Sequence, residues 1–398
     1  MKVLLTSTSY LPAIGGAQLH LHYLTRELSK RHEVQVVTLW DANRTDWLLG
    51  TTLRAAAVTR DYAVDGIPVR RLGLTSAEKA RILPAVAGYY SAQSVAIRWI
   101  SRVLVDKMMA VARGSGIVQN GRIGREPISY ASLEIARKLD VPFFLTPYHH
   151  PRWQGWLYRH FIQLYRQADG LITLTNAEKG LLGDLGVNPD RVFVTGMGPI
   201  VAEGADGERF VERFGLGRPI VLFLGQHYAY KGFRELLLAA PRVWKREPGT
   251  QFVFIGPQVG GSERYFKEVD DPRIRRLGTV DLQTKTDALA ACDLLCVPSR
   301  QESFGGVYTE AWVFGKPVIG CDIPAVREVI DNGVNGFLVE QHPDEIADRI
   351  CELILSPGLS GQLGSAGRRK VEAQFTWEKI AARTEAAYSS VIEGRVRS

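Results

Sequence analysis

Two glutamates, Glu302 and Glu310, lie at the two ends of the segment ESFGGVYTE, between a predicted strand and a predicted helix. A carboxylate binds a pair of vicinal hydroxyls well, because its two oxygens accept two hydrogen bonds, and sugars and riboses carry such pairs. A glutamate near a helix N-terminus also stabilises the helix dipole, and a glutamate within a surface helix needs no functional explanation. Spacing alone therefore leaves a sugar site and an ordinary helix surface both open.

The turn before the predicted helix is a candidate anion site. The strand ends near Pro298 and Ser299, the turn runs from Arg300 to Gly305, and Gly306 begins the helix. A strand, turn and helix in this order place backbone N–H groups and the positive end of a helix dipole at the carboxyl edge of a parallel sheet, where anions bind. The segment therefore predicts a phosphate or sugar site.

The elements that must position this turn form two blocks of alternating strands and helices. The first block opens with a strand at 2–10, a helix entered through a glycine pair at 15–31, and a second strand at 32–40. The second block follows a stretch at 198–219 that is rich in glycine and charge and is typical of a linker. This alternation predicts two α/β domains, each built on a doubly wound parallel sheet.

The length of the chain supports a division into domains. Single hydrophobic cores stop growing at roughly 250 to 300 residues, and this chain has 398 residues. We expect an N-terminal Rossmann-like domain over 1–200, a C-terminal Rossmann-like domain over 201–375, and a final helix over 376–398 that crosses back to the first domain.

The composition is that of an ordinary globular protein, with 45% hydrophobic and 23% charged residues. The first eleven residues predict a strand rather than a signal peptide, because Thr and Ser interrupt the apolar run. No stretch reaches the roughly 20 predominantly apolar residues of a spanning helix. Cys292 and Cys296 lie in an apolar phrase, which is typical of buried thiols in a reducing, cytoplasmic setting. Without a second Cys or His pair nearby, their spacing does not predict a metal site.

Basic residues are concentrated in the first half of the chain. Seven of them, against the single acid Asp106, lie between Arg81 and Arg125 and are interleaved with aromatic residues. A solvated basic face on ordinary helices explains this pattern, and so does contact of 81–125 with an anionic membrane or an anionic acceptor. The sequence therefore predicts a cytoplasmic protein, leaves peripheral contact with the inner face of the membrane open, and predicts no nucleic-acid partner.

Three motifs together resemble one family. The segment SRQESFGGVYTEAWVFGKPVIGCDIPAVREVIDNGVNGFLV carries an E-x7-E signature, FLGQHYAYKG resembles a G-R-x4-K-G segment, and LPAIGGAQLH resembles a P-x-x-G-G loop. These residues are similar to those of retaining glycosyltransferases of the E-x7-E type, glycosyltransferase family 4. The likeness is strong in the C-terminal half, moderate in the first half and weak over about 41–130. It implies the GT-B fold, in which two Rossmann-like domains face each other across a cleft.

The resemblance implies roles for residues in the second half of the chain. Glu310 would bind the ribose hydroxyls of a nucleotide and Glu302 the hydroxyls of the donor sugar, while Lys231 would contact the diphosphate. Backbone N–H groups in the turn would hold the sugar or the phosphate. The turn residues concerned are Ser303, Phe304, Gly305 and Gly306.

Other positions in the resemblance are less uniform. Gln226 stands where the family usually has arginine, so the charge of that side chain is lost. Either diphosphate binding is weaker as a result, or another residue such as Arg300 or His227 anchors the diphosphate. In the first half, Gly15 and Gly16 resemble the loop that approaches the donor phosphate. His149 and His150 are both candidates for a family histidine near the donor sugar.

The implied activity is retaining transfer of a hexose-type sugar from a nucleotide diphosphate sugar, of UDP or GDP type, to an acceptor. The donor would bind mainly to the C-terminal domain and a lipid-linked, polysaccharide or small-molecule acceptor to the N-terminal one. No D-x-D motif is present, and neither a metal nor another cofactor is predicted. A nucleotide-sugar-binding module with little or no activity and a same-fold epimerase are the alternatives. A two-carboxylate glycosidase is disfavoured, because both glutamates lie on one turn and helix.

Overall fold

The computed structural model describes residues 1–13, 15–40, 47–149, 153 and 155–397, and of residue 397 only the backbone. It divides into two compact units. Unit 1 comprises Met1–Gly196 and Trp377–Ser398, and unit 2 comprises Met197–Thr376. Each unit contains a largely parallel sheet with helices, which confirms the predicted α/β class.

Unit 1 contains an eight-stranded sheet in the order β3-β4-β2-β1-β5-β6-β7-β8, in which only β3 and β4 pair antiparallel. The strands are β1 (Lys2–Ser9), β2 (Glu33–Trp40), β3 (Arg60–Val64), β4 (Ile67–Arg71), β5 (Ile117–Gly121), β6 (Phe143–Thr146), β7 (Gly170–Thr173) and β8 (Val192–Val194). The helices between them are α1 (Gly16–Leu28), α2 (Ser76–Ala87), α3 (Gln93–Ala112), α4 (Pro127–Leu139), α5 (Arg159–Gln167) and α6 (Asn176–Asp184).

The centre of this sheet is buried on both faces. Seven of the eight residues of β1 are buried, as expected for a strand covered by helices on both sides. β1 pairs with β2 on one side and with β5 on the other. The strand order therefore reverses beside β1, and the carboxyl ends of β1 and β5 form a topological switch point, where ligands of α/β sheets bind.

The part of unit 1 with the weakest family resemblance contains elements that the sequence patterns did not locate. The β3–β4 hairpin was not predicted at all, and helices α2 and α3 were expected only as ordinary helices within 81–125, without bounds. α2 begins at a capping box: Thr75 Oγ1 accepts from the Glu78 N–H, and the Glu78 carboxylate accepts from the Thr75 N–H at 2.7 Å. Two orphan N–H groups of the helix start are thereby satisfied.

Unit 2 contains a six-stranded sheet in the order β11-β10-β9-β12-β13-β14, with every neighbouring pair parallel. The strands are β9 (Ile220–Leu224), β10 (Gln251–Ile255), β11 (Ile274–Gly278), β12 (Leu294–Val297), β13 (Val318–Cys321) and β14 (Phe337–Val339). The helices are α7 (Gly207–Phe214), α8 (Phe233–Trp244), α9 (Glu263–Glu268), α10 (Leu282–Ala291), α11 (Gly306–Val313), α12 (Pro324–Arg327), α13 (Pro343–Leu355) and α14 (Pro357–Lys370).

Helix α7 corrects the prediction of a linker over 198–219. The Asp206 side chain caps the helix by accepting from the Arg209 N–H, and Phe210 is buried. Arg209 also donates from two nitrogens to Asp287 at 2.8 and 2.7 Å. Glycine and charge at the two ends of the segment had suggested a loop, but a cap, one buried aromatic residue and a bidentate ion pair are enough to hold a short helix in place.

The last helix, α15 (Trp377–Arg397), belongs to unit 1. Ile380, Ala381 and Tyr388 are part of a buried apolar cluster that also includes Phe144 of β6, and the rings of Tyr388 and Phe144 lie 4.8 Å apart. Within the described residues, none of the helices combines the length and apolarity needed to cross a membrane.

Candidate functional site

The candidate site in unit 2 lies where the strand order of its sheet reverses. β9 pairs with β10 on one side and with β12 on the other, so the loops that follow β9 and β12 are neighbours at the carboxyl edge. The two loops are joined directly, because the Arg300 N–H donates to the Tyr230 carbonyl at 2.8 Å. Gln341 Nε2 donates to the Tyr230 and Pro298 carbonyls at 3.0 and 2.7 Å and holds both loops together.

Gly232 permits the close approach of these loops. It precedes α8 with a φ of +78°, and a Cβ atom at this position would lie 2.5 Å from the Pro298 carbonyl oxygen. The positive φ and the lack of space both require glycine. The glycine of the K-G pair at 231–232 is therefore required by the structure. Its conformation places the preceding lysine beside the loop that follows β12.

Lys231 and Glu302 form an ion pair at this junction. The Lys231 Nζ donates to Glu302 Oε1 at 2.6 Å, and the side chains are 20% and 12% exposed. The sequence assigned both residues to one donor site although 71 positions separate them. The fold brings them together because β9 and β12 are adjacent strands.

The turn after β12 ends at the N-terminus of α11. Gly305 caps this helix with a φ of +85°, and a Cβ atom there would lie 2.4 Å from a ring atom of Tyr308. The Tyr308 hydroxyl donates to the Val297 carbonyl at 2.7 Å and ties the helix to β12. Phe304 is buried against Phe375, with ring centroids 5.2 Å apart. These contacts fix the backbone of the predicted anion turn, in which Ser303 is half-buried.

The first N–H groups of α11 have no partner within the helix, as at any helix start, and the helix dipole adds positive character there. Gly306 is the first residue of this helix. A helix start of this kind can bind an anion, and the predicted anion site at this turn stays a prediction; Lys231 contacts Glu302 of the same turn.

Glu310 is buried on the second turn of α11. Its Oε1 lies 2.9 Å from Nζ of Lys285 on α10, and the side chains are 6% and 20% exposed. Lys285 also donates to the Ile200 carbonyl at 2.7 Å. Burial raises the pKa of the Glu310 carboxyl, and the adjacent Lys285 ammonium lowers it. Glu310 Oε2 is buried and makes no hydrogen bond of normal geometry among the described residues. The backbone of Ile200 lies close enough to lower the pKa of the Glu310 carboxyl.

The sequence patterns gave no indication of Lys285. It lies in the polar run LQTKTD of α10, which contains no motif and is distant from Glu310 along the chain. Packing of α10 against α11 creates the pair. A buried carboxylate normally has a cationic or hydrogen-bonding partner, so the burial of Glu310 would have been the signal, but a single sequence does not show burial.

The candidate substitutes for the family arginine differ in their environments. Gln226 and Arg300 are exposed. His227 is buried among phenylalanines, with its ring centroid 5.4 Å from that of Phe233 and 5.3 Å from that of Phe266. Burial lowers the pKa of His227 to about 4. At neutral pH its imidazole is uncharged, so of these residues only Arg300 offers a cation.

Unit 1 carries the remaining predicted site residues. Gly15 caps α1 in an extended conformation and Gly16 is the first helical residue. His149 is buried after β6, and its N–H donates to Glu178 Oε1 at 2.6 Å. Burial raises the pKa of Glu178 to about 7. His150 lies outside the described residues.

The described residues contain no group of three His, Cys, Asp or Glu side chains placed to hold a metal ion. All four cysteines are buried free thiols, and none of them forms a disulfide.

Two α/β domains, each built on a largely parallel sheet, define a protein of the GT-B class. Comparisons with known proteins agree. The model of the Glycosyl transferase 4-like domain matches residues 15–198 and that of the Glycosyl transferases group 1 family matches residues 218–356. The two matches cover most of the chain, and the protein belongs to the group 1 glycosyltransferases of family 4.

Curated relatives include D-inositol 3-phosphate glycosyltransferases. Those of Kribbella flavida and Streptomyces bingchenggensis are 30% and 32% identical over 251 and 263 residues. These matches cover 58% and 59% of this chain but only 58% and 56% of the relatives.

Solved structures share the whole fold. HepE of Anabaena in complex with UDP covers 98% of this chain and 100% of its own, with 20% identity and a TM-score of 0.75. Sucrose-phosphate synthase of Thermosynechococcus elongatus covers 99% of each chain, with 17% identity and a TM-score of 0.73.

Proposed function

We propose that this protein transfers a hexose-type sugar from a nucleotide diphosphate sugar to an acceptor, and that unit 2 binds the donor. The observation that carries the proposal is the contact between Lys231 and Glu302 beside the N-terminus of α11. A cation and a helix N-terminus suit a diphosphate, and a neighbouring carboxylate suits sugar hydroxyls. UDP and UDP-glucose are bound in structures of Anabaena HepE, which supports a UDP-type donor here.

The residues of this site would act mainly through electrostatics. A departing nucleoside diphosphate accumulates negative charge, and fixed positive groups stabilise that charge in the transition state. Lys231 and the N–H groups at Phe304, Gly305 and Gly306 would supply this stabilisation without a metal ion. Glu310 would accept from the ribose hydroxyls.

The Lys231 ammonium donates to the Glu302 carboxylate. On donor binding, a diphosphate would take over the ammonium of Lys231 and leave the Glu302 carboxylate to accept from the sugar hydroxyls. Each residue would then bind a different part of the donor.

Retention of the anomeric configuration is also proposed, from the family resemblance. In the same-face displacement usually argued for such enzymes, the leaving phosphate helps to deprotonate the acceptor, so neither glutamate acts as a nucleophile. Gly15, Gly16 and His149 of unit 1 would contribute to the donor phosphate and sugar, and unit 1 would bind the acceptor. The name of the curated relatives supports a small phosphorylated cyclitol, while lipid-linked and polysaccharide acceptors are alternatives.

A test of transfer uses UDP-glucose and GDP-mannose with a panel of sugar, cyclitol and cyclitol phosphate acceptors in EDTA. We expect acceptor-dependent release of one nucleotide and an α-linked product, identified from the anomeric proton by NMR. Nucleotide binding without release would favour a binding module, consistent with Gln226 in place of an arginine. A changed donor sugar without transfer would favour an epimerase.

A second candidate function is peripheral binding to an anionic surface through α2 and α3. Arg81, Arg98 and Arg102 line a surface pocket of about 300 Å³ together with Val95 and Trp99. Exposed apolar and basic side chains in one patch suit the headgroup region of an anionic membrane.

The patch is smaller than the segment 81–125 suggested. Lys107 forms an ion pair with Glu78 at 2.9 Å, and Arg122 is buried. Co-sedimentation with vesicles rich in phosphatidylserine should decrease when Arg98 and Arg102 are both replaced by glutamine, and it should decrease as salt is added. If the protein sedimented equally with neutral and with anionic vesicles, this function would be ruled out.

A further inference from the structure

Arg122 is a buried cation whose Nε has no hydrogen-bond partner among the described residues. It directly follows β5 at the switch point of unit 1, and only 5% of the residue is exposed. Its guanidinium carbon lies 4.0 Å from the ring centroid of Trp153 and 4.1 Å from that of Phe161. Among the described residues, no side-chain or backbone oxygen accepts from the guanidinium, and its Nε is buried without a partner.

This arrangement differs from that of a structural arginine. Buried arginines are normally paired, because an unpaired buried charge is unfavourable. Two aromatic rings cover the faces of the guanidinium, while its N–H donors point along its edges in a fork that matches a carboxylate or a phosphate. The backbone around Arg122 is fixed, since its N–H donates to the Thr146 carbonyl at 3.0 Å.

The nearest acids do not occupy this fork. Glu126 and Glu178 lie close enough for Arg122 to lower the pKa of each carboxyl, but burial raises both, to about 7 for Glu178. Glu126 accepts from the Tyr89 hydroxyl, and Glu178 accepts from the N–H groups of His149 and Leu174. Each carboxyl group therefore has a donor other than Arg122, while Glu126 Oε1 is buried without a hydrogen-bond partner among the described residues.

We infer that Arg122 binds an anionic group of the acceptor, either a phosphoryl group or a carboxylate, at the carboxyl edge of the unit 1 sheet. The inference rests on the proposed transferase function, because it assigns the acceptor to unit 1. It adds that the acceptor carries a negative charge, and it names the residue that selects for this charge.

The test measures anion binding with the donor site blocked. Inorganic phosphate and acetate, at ionic strength matched with sodium chloride, are titrated calorimetrically into protein saturated with UDP. The variants are Arg122→Gln, Arg122→Lys and, as control, Arg113→Gln, since Arg113 is an exposed arginine of the same unit. UDP binding by each variant reports whether the chain is folded and whether the donor site is intact.

We expect the wild type and Arg113→Gln to bind one of the two anions. Arg122→Gln should lose at least about ten-fold in affinity, and Arg122→Lys should recover part of it because it keeps the charge but not the fork. Phosphate binding alone identifies a phosphoryl acceptor, and acetate binding alone a carboxylate.

Equal binding by the wild type and Arg122→Gln, or binding of neither anion by UDP-loaded wild type, would overturn the inference and leave the donor site standing. Failure of UDP itself to bind the wild type would instead contradict the proposed function. A kinetic measurement distinguishes direct binding of the acceptor from a general structural effect. Arg122→Lys should raise KM for a charged acceptor while KM for the donor stays unchanged.

Discussion

At the scale of single residues, we expect the two lysine–glutamate pairs of unit 2 to have different roles. Lys231 and Glu302 meet at the junction of two loops, whereas Lys285 and Glu310 join two packed helices. Each member of the first pair has a proposed ligand group, so we expect this pair to separate when a donor binds. In the second pair the carboxylate is more deeply buried, so we expect its two members to contribute to stability, and Glu310 also to nucleotide binding.

Lys231→Ala should remove stabilisation of the leaving diphosphate. We expect kcat to decrease by about 10²- to 10³-fold, the range for loss of one electrostatic group that acts in the transition state. Initial rates of nucleotide release measure this. Lys245→Ala, at an exposed lysine of the same unit, is the control. Unchanged kcat in Lys231→Ala would remove the lysine from the mechanism.

Breaking the pair between Lys285 and Glu310 should destabilise unit 2. Lys285→Met leaves a buried carboxylate without its cation, which we expect to lower the free energy of unfolding by about 3–5 kcal/mol. The double variant Lys285→Met with Glu310→Leu should recover most of this loss, because an apolar pair of similar volume replaces the ions.

Nucleotide binding separates the two roles of that pair. Urea unfolding and UDP calorimetry on the same samples should show that the double variant regains stability but not UDP affinity. Recovery of both properties would mean that Glu310 is a structural residue and does not contact the nucleotide.

His227 should make stability depend on pH. Its pKa is lowered by burial to about 4 in the folded protein, against about 6.5 in an unfolded chain. Between these values the unfolded chain binds the additional proton, so stability is lost as pH decreases through this window.

Replacement by an apolar ring should remove that dependence. We expect His227→Phe to reduce the stability difference between pH 7 and pH 5 by roughly 1–2 kcal/mol. Urea unfolding at both pH values measures this, and a series from pH 7.5 to 8.5 is the control because the imidazole is neutral in both states there. An unaltered difference would show that His227 does not titrate as described.

At the scale of elements, the start of α11 determines whether the anion turn exists. Gly305→Ala introduces a side chain at a φ of +85° and against the Tyr308 ring, which we expect to cost about 1–3 kcal/mol. Gly361→Ala within α14, where a Cβ atom meets nothing within 4 Å, should instead stabilise by about 0.5–1 kcal/mol.

Thermal unfolding with and without UDP tests this contrast. Gly305→Ala should lose most of the stabilisation that UDP provides, and Gly361→Ala should keep it. Full UDP stabilisation in Gly305→Ala would show that the turn backbone does not bind the diphosphate.

The elements that position the site could be predicted from the sequence because strand, turn and helix alternate regularly around it. The sequences of β9, β12 and α11 are apolar runs bounded by glycine or proline, and the family motifs lie on the loops that connect these elements. Helices α2 and α3 were expected without bounds, since the resemblance is weakest there and no motif marks them. Lys285 and the isolation of Arg122 depend on packing between distant segments, which one sequence does not encode in any local pattern.

At the scale of the whole molecule, the chain forms two units with different proposed tasks. Unit 2 carries most of the predicted donor residues on the loops and helices that follow the strands of one parallel sheet, so donor binding is expected to depend mainly on that unit. Unit 1 carries the unpaired arginine at its switch point and the basic patch on α2 and α3.

Thermal unfolding of the wild type and of Glu310→Ala, with UDP, GDP, ADP and TDP in EDTA, tests whether unit 2 binds the nucleotide of the donor. We expect one nucleotide to stabilise the wild type by about 2.7 kcal/mol at 100 times its Kd. Glu310→Ala should lose most of this effect relative to its own ligand-free midpoint. Stabilisation by none of the four, or an equal response of the variant, would contradict the assignment of the donor site.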